Sequence, residues 1–241
     1  MPSVLITAPL RQEPKIFHEY RESIDRLILP PGTTVDTFYV VNNCPEIIPC
    51  LRPSDNYIVH DTDQLYYKTH NDHIWSQSNM TAMETLRNLT IQYALDHNYD
   101  YWFSVDTDLV LHPLTLQTLL EADKDIVSEI FWSVSKDVHR WCNAWMYDQG
   151  SGMLPEWNNP GLYQCGMTGA CTLVKRKVLS AGVNYSSIPN IKYLFGEDRF
   201  FSVRAAVHGF ELWVDTHYPA THLYTESEYQ KYMSAKGANQ A

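Results

Sequence analysis

The sequence predicts an α/β fold in which a mostly parallel central sheet is flanked by helices. Three observations lead there. Short β-rich apolar runs alternate with segments of helical period, the pattern of strands joined by crossover helices. Hydrophobic residues make up 44% of the chain, enough for a sizeable core, while charged residues make up only 19%, which argues against disorder. A length of 241 residues suits a single domain, with room for an irregular lobe.

Each element has its own reason. The run 4–8 is short and apolar and is ended by Pro9, so it reads as a first strand. Ile16, Phe17, Tyr20, Ile24, Leu27 and Ile28 recur at helical spacing, and Pro30-Pro31-Gly32 stops that helix. Residues 35–41 are β-rich and end at Asn42-Asn43, and 57–60 offers a third strand. Residues 56–79 are otherwise polar and aromatic, and read as a long surface loop. A helix over about 81–97 carries Met83, Leu86, Leu89, Tyr93 and Ala94 on one face. The apolar run 101–105 is a buried strand with an acidic tip. Pro113 suits a first helical turn before Leu116, Leu119 and Leu120, and 126–131 is another strand. Residues 133–166 break the rhythm: they are rich in Trp, Asn, Gly and Pro without a clear period, an irregular excursion on one side of the domain. A strand at 170–174, a short helix at 176–181, a helix at 197–208 and a late strand at 212–214 resume it. The tail from about Lys231 is small and polar and is expected to fray.

Bulk properties narrow the function classes. A net charge of −10 makes nucleic acid and anionic membrane surfaces unsuitable default partners. No stretch reaches transmembrane length, and Met1-Pro2-Ser3-Val4 lacks the basic region of a signal peptide. Cys44, Cys50, Cys142, Cys165 and Cys171 are odd in number and lack a tight metal spacing, so they read as reduced thiols in a cytoplasmic compartment.

The acidic tip, Asp106-Thr107-Asp108, carries the chemistry. Open α/β sheets bind ligands at the carboxyl ends of their strands. Two carboxylates this close repel, so they call for protons or a cation. Oxygen ligands suit Mg²⁺ or Mn²⁺, ions that bridge carboxylates to substrate phosphates. Asp is also common in turns, and the second copy, Asp61-Thr62-Asp63, has no comparable strand behind it. Downstream, Gly196-Glu197-Asp198 opens a helix, where acids either complement the helix dipole or serve as a proton acceptor beside a metal site. His217 and His222 follow the last strand, and His222 ranks ahead of His217 as an imidazole ligand. Four of the seven tryptophans are Trp132, Trp141, Trp145 and Trp157. Trp132, next to a strand, reads as packing; Trp141, Trp145 and Trp157 read as a platform for the flat faces of an acceptor.

Taken in order, these motifs resemble a known family. Arg87-Asn88, Asp106-Thr107-Asp108 with Leu111-His112-Pro113-Leu114, the run from Gly169 to Arg176, Gly196-Glu197-Asp198 with Arg204 and Gly209, and the late His222 look like a nucleotide-sugar glycosyltransferase of the GT-A fold, closest to family-2-like inverting enzymes. The resemblance implies a single domain over 1–241, with a donor-binding half over about 1–110 and an acceptor-side half over about 111–225. It implies that Asp108 binds Mn²⁺ or Mg²⁺ directly, that Asp106 binds the ion or the donor ribose, and that His222 completes the set. Asp198 would be the general base and Glu197 would hold the acceptor, a carbohydrate or other hydroxyl compound. Thr7, Ala8, Pro9 and Arg11 would line the nucleotide of a nucleoside diphosphate sugar, and Arg87 would contact its base or a phosphate. Asn42 and Asn43 stand where the family often has an acid that reads uracil, which leaves the nucleobase open.

Two rival readings stay on the page. Residues 103–110 also resemble the nucleophile motif of haloacid-dehalogenase-like phosphatases, in which Asp106 would be phosphorylated. That motif usually opens a chain, and the acidic pair it needs downstream is not found in convincing form. A non-catalytic carbohydrate-binding protein on the same fold is the other.

Overall fold

In a computed structural model of the chain, the described residues are 1–63, 68–69, 72–73, 76–134, 140–146, 153–192 and 194–238. The first half is built from β1 (Ser3–Leu10), α1 (Pro14–Asp25), β2 (Thr34–Val41), β3 (Asn56–Val59), the two-residue pair β4 (Lys68–Thr69) and β5 (Asp72–His73), α2 (Gln77–Asp96) and β6 (Tyr101–Ser104). There follow β7 (Leu109–Val110), α3 (Thr115–Glu121), β8 (Ile126–Val134), β9 (Arg140–Cys142), β10 (Ala144–Trp145), β11 (Leu162–Cys165) and β12 (Met167–Thr168). The chain closes with β13 (Thr172–Lys175), α4 (Arg176–Ser180), α5 (Glu197–Val207), β14 (Leu212–His222) and α6 (Glu226–Ala238).

The main sheet runs in the order β11-β14-β8-β13-β6-β1-β2-β3. β1 pairs in parallel with β2 and β6, β2 with β3, and β8 with β14. β13 lies antiparallel between β6 and β8, and β11 antiparallel at the edge. The sheet is thus mostly parallel, and β6, β1, β2, β3, β8 and β14 all send their carboxyl ends to one side. That edge is where the site forms.

Side-chain alternation explains why strand sequences this apolar are needed. On β1, Val4 and Ile6 join Phe17, Tyr20 and Ile24 of α1 on one face, while Leu5 joins Leu86, Ile91 and Ala94 of α2 on the other. Both faces are covered, so the strand reads as a continuous apolar run. α3 adds Leu116 and Leu119 to the α1 side; α4 and α5 add Val178, Leu179, Phe201 and Ala205 to the α2 side. The outcome is a three-layer sandwich.

Four expectations need correction. The helix expected over about 81–97 begins a turn earlier, at Gln77, because the Ser76 hydroxyl caps it by accepting from the Asn79 amide. The late strand at 212–214 extends as β14 to His222, through a register shift between Asp215 and Ala220 that a short apolar pattern does not reveal. The segment 133–166 is less irregular than its composition: among its described residues β9 pairs antiparallel with the end of β8, β10 pairs with β12, and β11 closes the sheet edge. Strands of two to four residues are too short to display a period. The tail from Lys231 lies in α6 as far as Ala238 rather than fraying. Its Tyr229 and Tyr232 pack on Ile16, Val110 and Leu223, and Lys236 reaches Glu19 and Glu22 of α1.

All five cysteines are free thiols. Among the described residues no helix is long and apolar enough to cross a membrane.

Candidate active site

A cleft of about 710 Å³ opens at the carboxyl edge of the sheet. Strand ends supply Pro9, Arg11, Asn42, Asp106, Asp108, Phe131, Ser133 and His222; α2 supplies Asn79, Met80 and Met83; Gly169 follows β12, and residues 195–199 lead into and begin α5.

The Asp106-Thr107-Asp108 wall is organised by two cationic side chains on other elements. Arg87, buried on α2, donates to Ser104 Oγ at 2.9 Å and to Asp106 Oδ1 at 3.0 Å, and its Nε lies 3.7 Å from Glu197 Oε1. Its Cζ sits 5.5 Å from the centre of the Tyr185 ring. Burial alone would lower the guanidinium's proton affinity, but Asp106, Asp198 and Glu197 raise it, so Arg87 stays charged. On the far side, His222 Nε2 lies 3.4 Å from Asp108 Oδ2, while Nδ1 shares a 2.7 Å hydrogen bond with Ser133 Oγ. Burial pulls the imidazole's proton affinity down; the Asp108 charge and contact outweigh it and hold it above the ordinary value. The main chain fixes this pair, because β7 and β14 place Leu109 opposite His222 and the Leu223 amide donates to the Asp108 carbonyl at 2.8 Å.

The second acidic group sits at the start of α5. Gly196 caps that helix with φ +97°, a conformation glycine adopts without strain. Asp198 Oδ1 is buried and without a hydrogen-bond partner among the described residues. Burial pushes the Asp198 carboxyl well above the usual range and Glu197 adds to the rise, against the pull of Arg87. Burial likewise raises Glu197, again opposed by Arg87. Gly169 gives this group its room: a Cβ there would stand 2.9 Å from Asp198 Oδ2. Asn143 braces the same corner, donating to the Glu129 and Ala170 carbonyls and accepting from the Phe131 amide.

The cleft gathers Pro9, Arg11, Asn42, Asp106, Asp108, Trp141, Trp145, Glu197, Asp198 and His222. It does not gather Thr7 and Ala8, which are buried within β1, nor Asn43, which bonds Asp61 and Thr62 instead. Arg87 lies behind the carboxylates rather than on the cleft wall, so its position corrects the nucleotide-contact expectation: it is their buried counter-charge. His217 turns its Nδ1 to Asp215 at 2.9 Å, away from the cleft lining. Trp157 is also corrected. It is 1% exposed, absent from the cleft lining and packed in the α2-side core, the fate of a large apolar ring with neighbours on all sides. Trp141, 37% exposed, meets Tyr224 edge-on at 6.4 Å at the mouth.

Ser133, Asn143, Arg199 and Tyr224 line the cleft and were not singled out by sequence. Ser133 and Asn143 owe their place to pairings with residues far along the chain, which no local pattern encodes. Arg199 had a signal, since it directly follows the acidic pair.

No protein-family model matches this sequence, and no curated protein matches it. Among solved structures, S. aureus TarS (residues 1–349) is similar, with a TM-score of 0.54 and 12% identity over 91% of this chain and 59% of that one. TarS in complex with UDP-GlcNAc gives a TM-score of 0.53 at the same identity, over 91% and 57%. The chain therefore spans a little under three-fifths of either structure. The likeness is one of fold: a mixed α/β, GT-A-like architecture with a mostly parallel sheet between helices.

Proposed function

We propose that this chain transfers a sugar from a nucleoside diphosphate sugar to a hydroxyl acceptor, assisted by Mn²⁺ or Mg²⁺ and with inversion at the anomeric carbon. One observation carries the reading: a single cleft holds a buried carboxyl with raised proton affinity, Asp198, together with the Asp108–His222 pair on separate strands. A base and an anion-stabilising site held apart on rigid elements suit an in-line displacement. The shared fold with TarS, which binds UDP-GlcNAc, supports a nucleotide-sugar donor.

Asp106, Asp108 and His222 fit a divalent ion by donor chemistry, two carboxylates and an imidazole. The 3.4 Å between Asp108 and His222 suits adjacent ligands on one ion, since octahedral ligands at Mg²⁺ distances stand about 3 Å apart. Asp106 is held by Arg87, and among the described residues the three do not bring their ligand atoms within 4.8 Å of one another, so Asp106 is the ligand that must move or bind through water. Ser133 would orient the imidazole as an outer-shell partner. The ion, when bound, would stabilise charge on the leaving diphosphate as a Lewis acid.

The chain's own residues do the rest. Asp198 takes the proton as the acceptor oxygen attacks the anomeric carbon and the bond to diphosphate breaks. Glu197 holds the acceptor. Arg87 compensates the buried negative charge. Trp141 offers a flat face beside the incoming acceptor. With one base and no second carboxylate acting as nucleophile, the anomeric centre inverts. The phosphatase reading is weakened by Arg87, whose donation to Asp106 Oδ1 blunts that oxygen as a nucleophile.

The test is to incubate the protein with UDP-GlcNAc, other nucleotide sugars, Mn²⁺ and a set of hydroxyl acceptors, then follow released products. Nucleoside diphosphate release and a product of inverted configuration by NMR are expected. A product that keeps the donor's configuration overturns inversion; phosphate release identifies a phosphatase; no release from any donor leaves a binding protein.

A further inference from the structure

The cleft contains a cation that the reading above does not use. Arg199 follows the proposed base on the first turn of α5 and lines the cleft. Its Nε is buried, and among the described residues neither Nε nor the rest of the guanidinium has a hydrogen bond or ion pair. The stem folds back toward Gly196, where an added Cβ would lie 4.0 Å from its Cγ and Cδ. The two carboxylates immediately before it on the chain are not its partners, although Glu197 does approach Arg87.

A half-buried guanidinium with a desolvated, unsatisfied N–H is costly unless something outside the chain completes it. Its planar fork matches a carboxylate or phosphate through two parallel hydrogen bonds. We propose that Arg199 binds an oxyanion carried by the acceptor, so that the acceptor class is hydroxyl compounds bearing a phosphate or carboxylate. This rests on the glycosyltransferase reading, because that reading makes Asp198 the residue that meets the acceptor hydroxyl. Arg199 lines the same cleft as Asp198 and is placed to meet a group carried beside that hydroxyl. The cleft's charge pattern agrees. Arg87 already approaches Asp106 and Glu197, and His222 approaches Asp108, whereas Arg199 lines the cleft with no counter-charge among the described residues and is open to a ligand's charge. An anionic acceptor would otherwise be repelled by four carboxylates.

The experiment uses sulfate as the probe. Wild type, Arg199→Gln and Arg199→Lys are saturated with UDP and Mn²⁺ and titrated with sodium sulfate at constant ionic strength by calorimetry. Melting temperatures confirm that each variant is folded. Sulfate is expected to bind the UDP-saturated wild type, to bind Arg199→Gln at least tenfold more weakly, and to bind Arg199→Lys in between, with UDP affinity equal in all three. Equal sulfate affinity in wild type and Arg199→Gln overturns the proposal, as does no sulfate binding to wild type. If Arg199→Gln instead loses UDP affinity and the UDP-saturated wild type takes no sulfate, the arginine serves the donor. Should UDP fail to bind the wild type, the donor reading falls on its own, and sulfate titration of the ligand-free protein still decides whether Arg199 holds an oxyanion.

Discussion

The cleft has two acidic groups that differ in what faces them. Asp106 and Asp108, after β6, are 36% and 16% exposed at their side chains, and each meets a cationic or protonatable side chain, Arg87 or His222. On α5, Glu197 is more deeply buried and has one distant arginine contact, Asp198 beside it has a buried Oδ1 and no ion pair among the described residues, and both have raised proton affinities. The same carboxylate chemistry therefore yields two different tools. An open pair with neighbours that can yield is suited to accept a cation. A carboxyl raised by burial, with no ion pair to hold its charge, is suited to accept a proton, because burial disfavours its charged form. Environment, more than residue type, divides the labour.

The largest effect should come from the buried group. Asp198→Asn is expected to lower the transfer rate by about 10²–10⁴-fold, the scale of a lost general base, with donor affinity unchanged. The pH profile gives a second reading. A base must be deprotonated to act, and Asp198 holds its proton above the usual carboxylate range, so activity should climb with pH through an apparent pKa above that of an ordinary carboxylate. A rate already flat from pH 5 upwards would overturn a base of raised proton affinity, and an active Asp198→Asn beside a dead Glu197→Gln would move the base to Glu197.

The open group should break differently. Asp108→Asn should remove Mn²⁺-dependent UDP binding, by about tenfold or more in affinity, and leave metal-free sulfate binding at Arg199 intact. Calorimetry with and without Mn²⁺ checks this; unchanged metal dependence would remove Asp108 from the ligand set.

How much of this contrast was legible in the sequence follows from the range of the interactions. Asp106 and Asp108 stood out because a continuous apolar strand leads into them, which is local. Glu197 and Asp198 are legible as an acidic helix start, where capping and catalysis read alike, and the burial that raises their proton affinities is not visible in the sequence. The Ser133–His222 contact joins residues 89 apart, and the shift in β14 that delivers His222 leaves no trace in hydropathy. Arg87 stands out in the sequence beside Asn88, but a sequence cannot tell an arginine on a cleft wall from one buried behind neighbouring carboxylates. The tryptophans make the same point, since Trp141 and Trp157 share a segment and a composition yet one lines the cleft and the other fills the core.

That last pair gives a smaller, separable prediction. Trp141→Ala should raise the acceptor KM by about two- to tenfold, the scale of the roughly 0.5–1.5 kcal/mol attributed to aromatic ring pairs, with little change in melting temperature. Trp157→Phe should do the reverse, costing about 0.5–3 kcal/mol of stability and leaving both substrate constants alone. An early-melting Trp141→Ala with unchanged acceptor KM would make both rings packing residues and move the acceptor platform elsewhere.

The smallest expected effect tests whether the two acidic groups are supported independently. β14 runs through His222 into Leu223 and Tyr224, and α6 follows directly, so α6 can steady the imidazole, while among the described residues no hydrogen bond or ion pair joins it to Glu197 or Asp198. One tether to α1 is the Lys236 ammonium, 2.6 Å from Glu19 and 2.8 Å from Glu22; Lys15 of α1 pairs with Glu226 at 2.7 Å, and Tyr229 and Tyr232 add apolar contacts. Partly exposed ion pairs contribute about 0.2–1 kcal/mol, and the apolar contacts remain when the charge is removed. Lys236→Met should therefore lower stability by under about 1 kcal/mol, more at low salt than at high salt. Any functional cost should fall on Mn²⁺-dependent nucleotide affinity and spare the pH profile set by Asp198. A shift in that profile with unchanged nucleotide affinity would mean the two groups are coupled through the sheet, and the division between an open cation site and a buried base would have to be redrawn as one network.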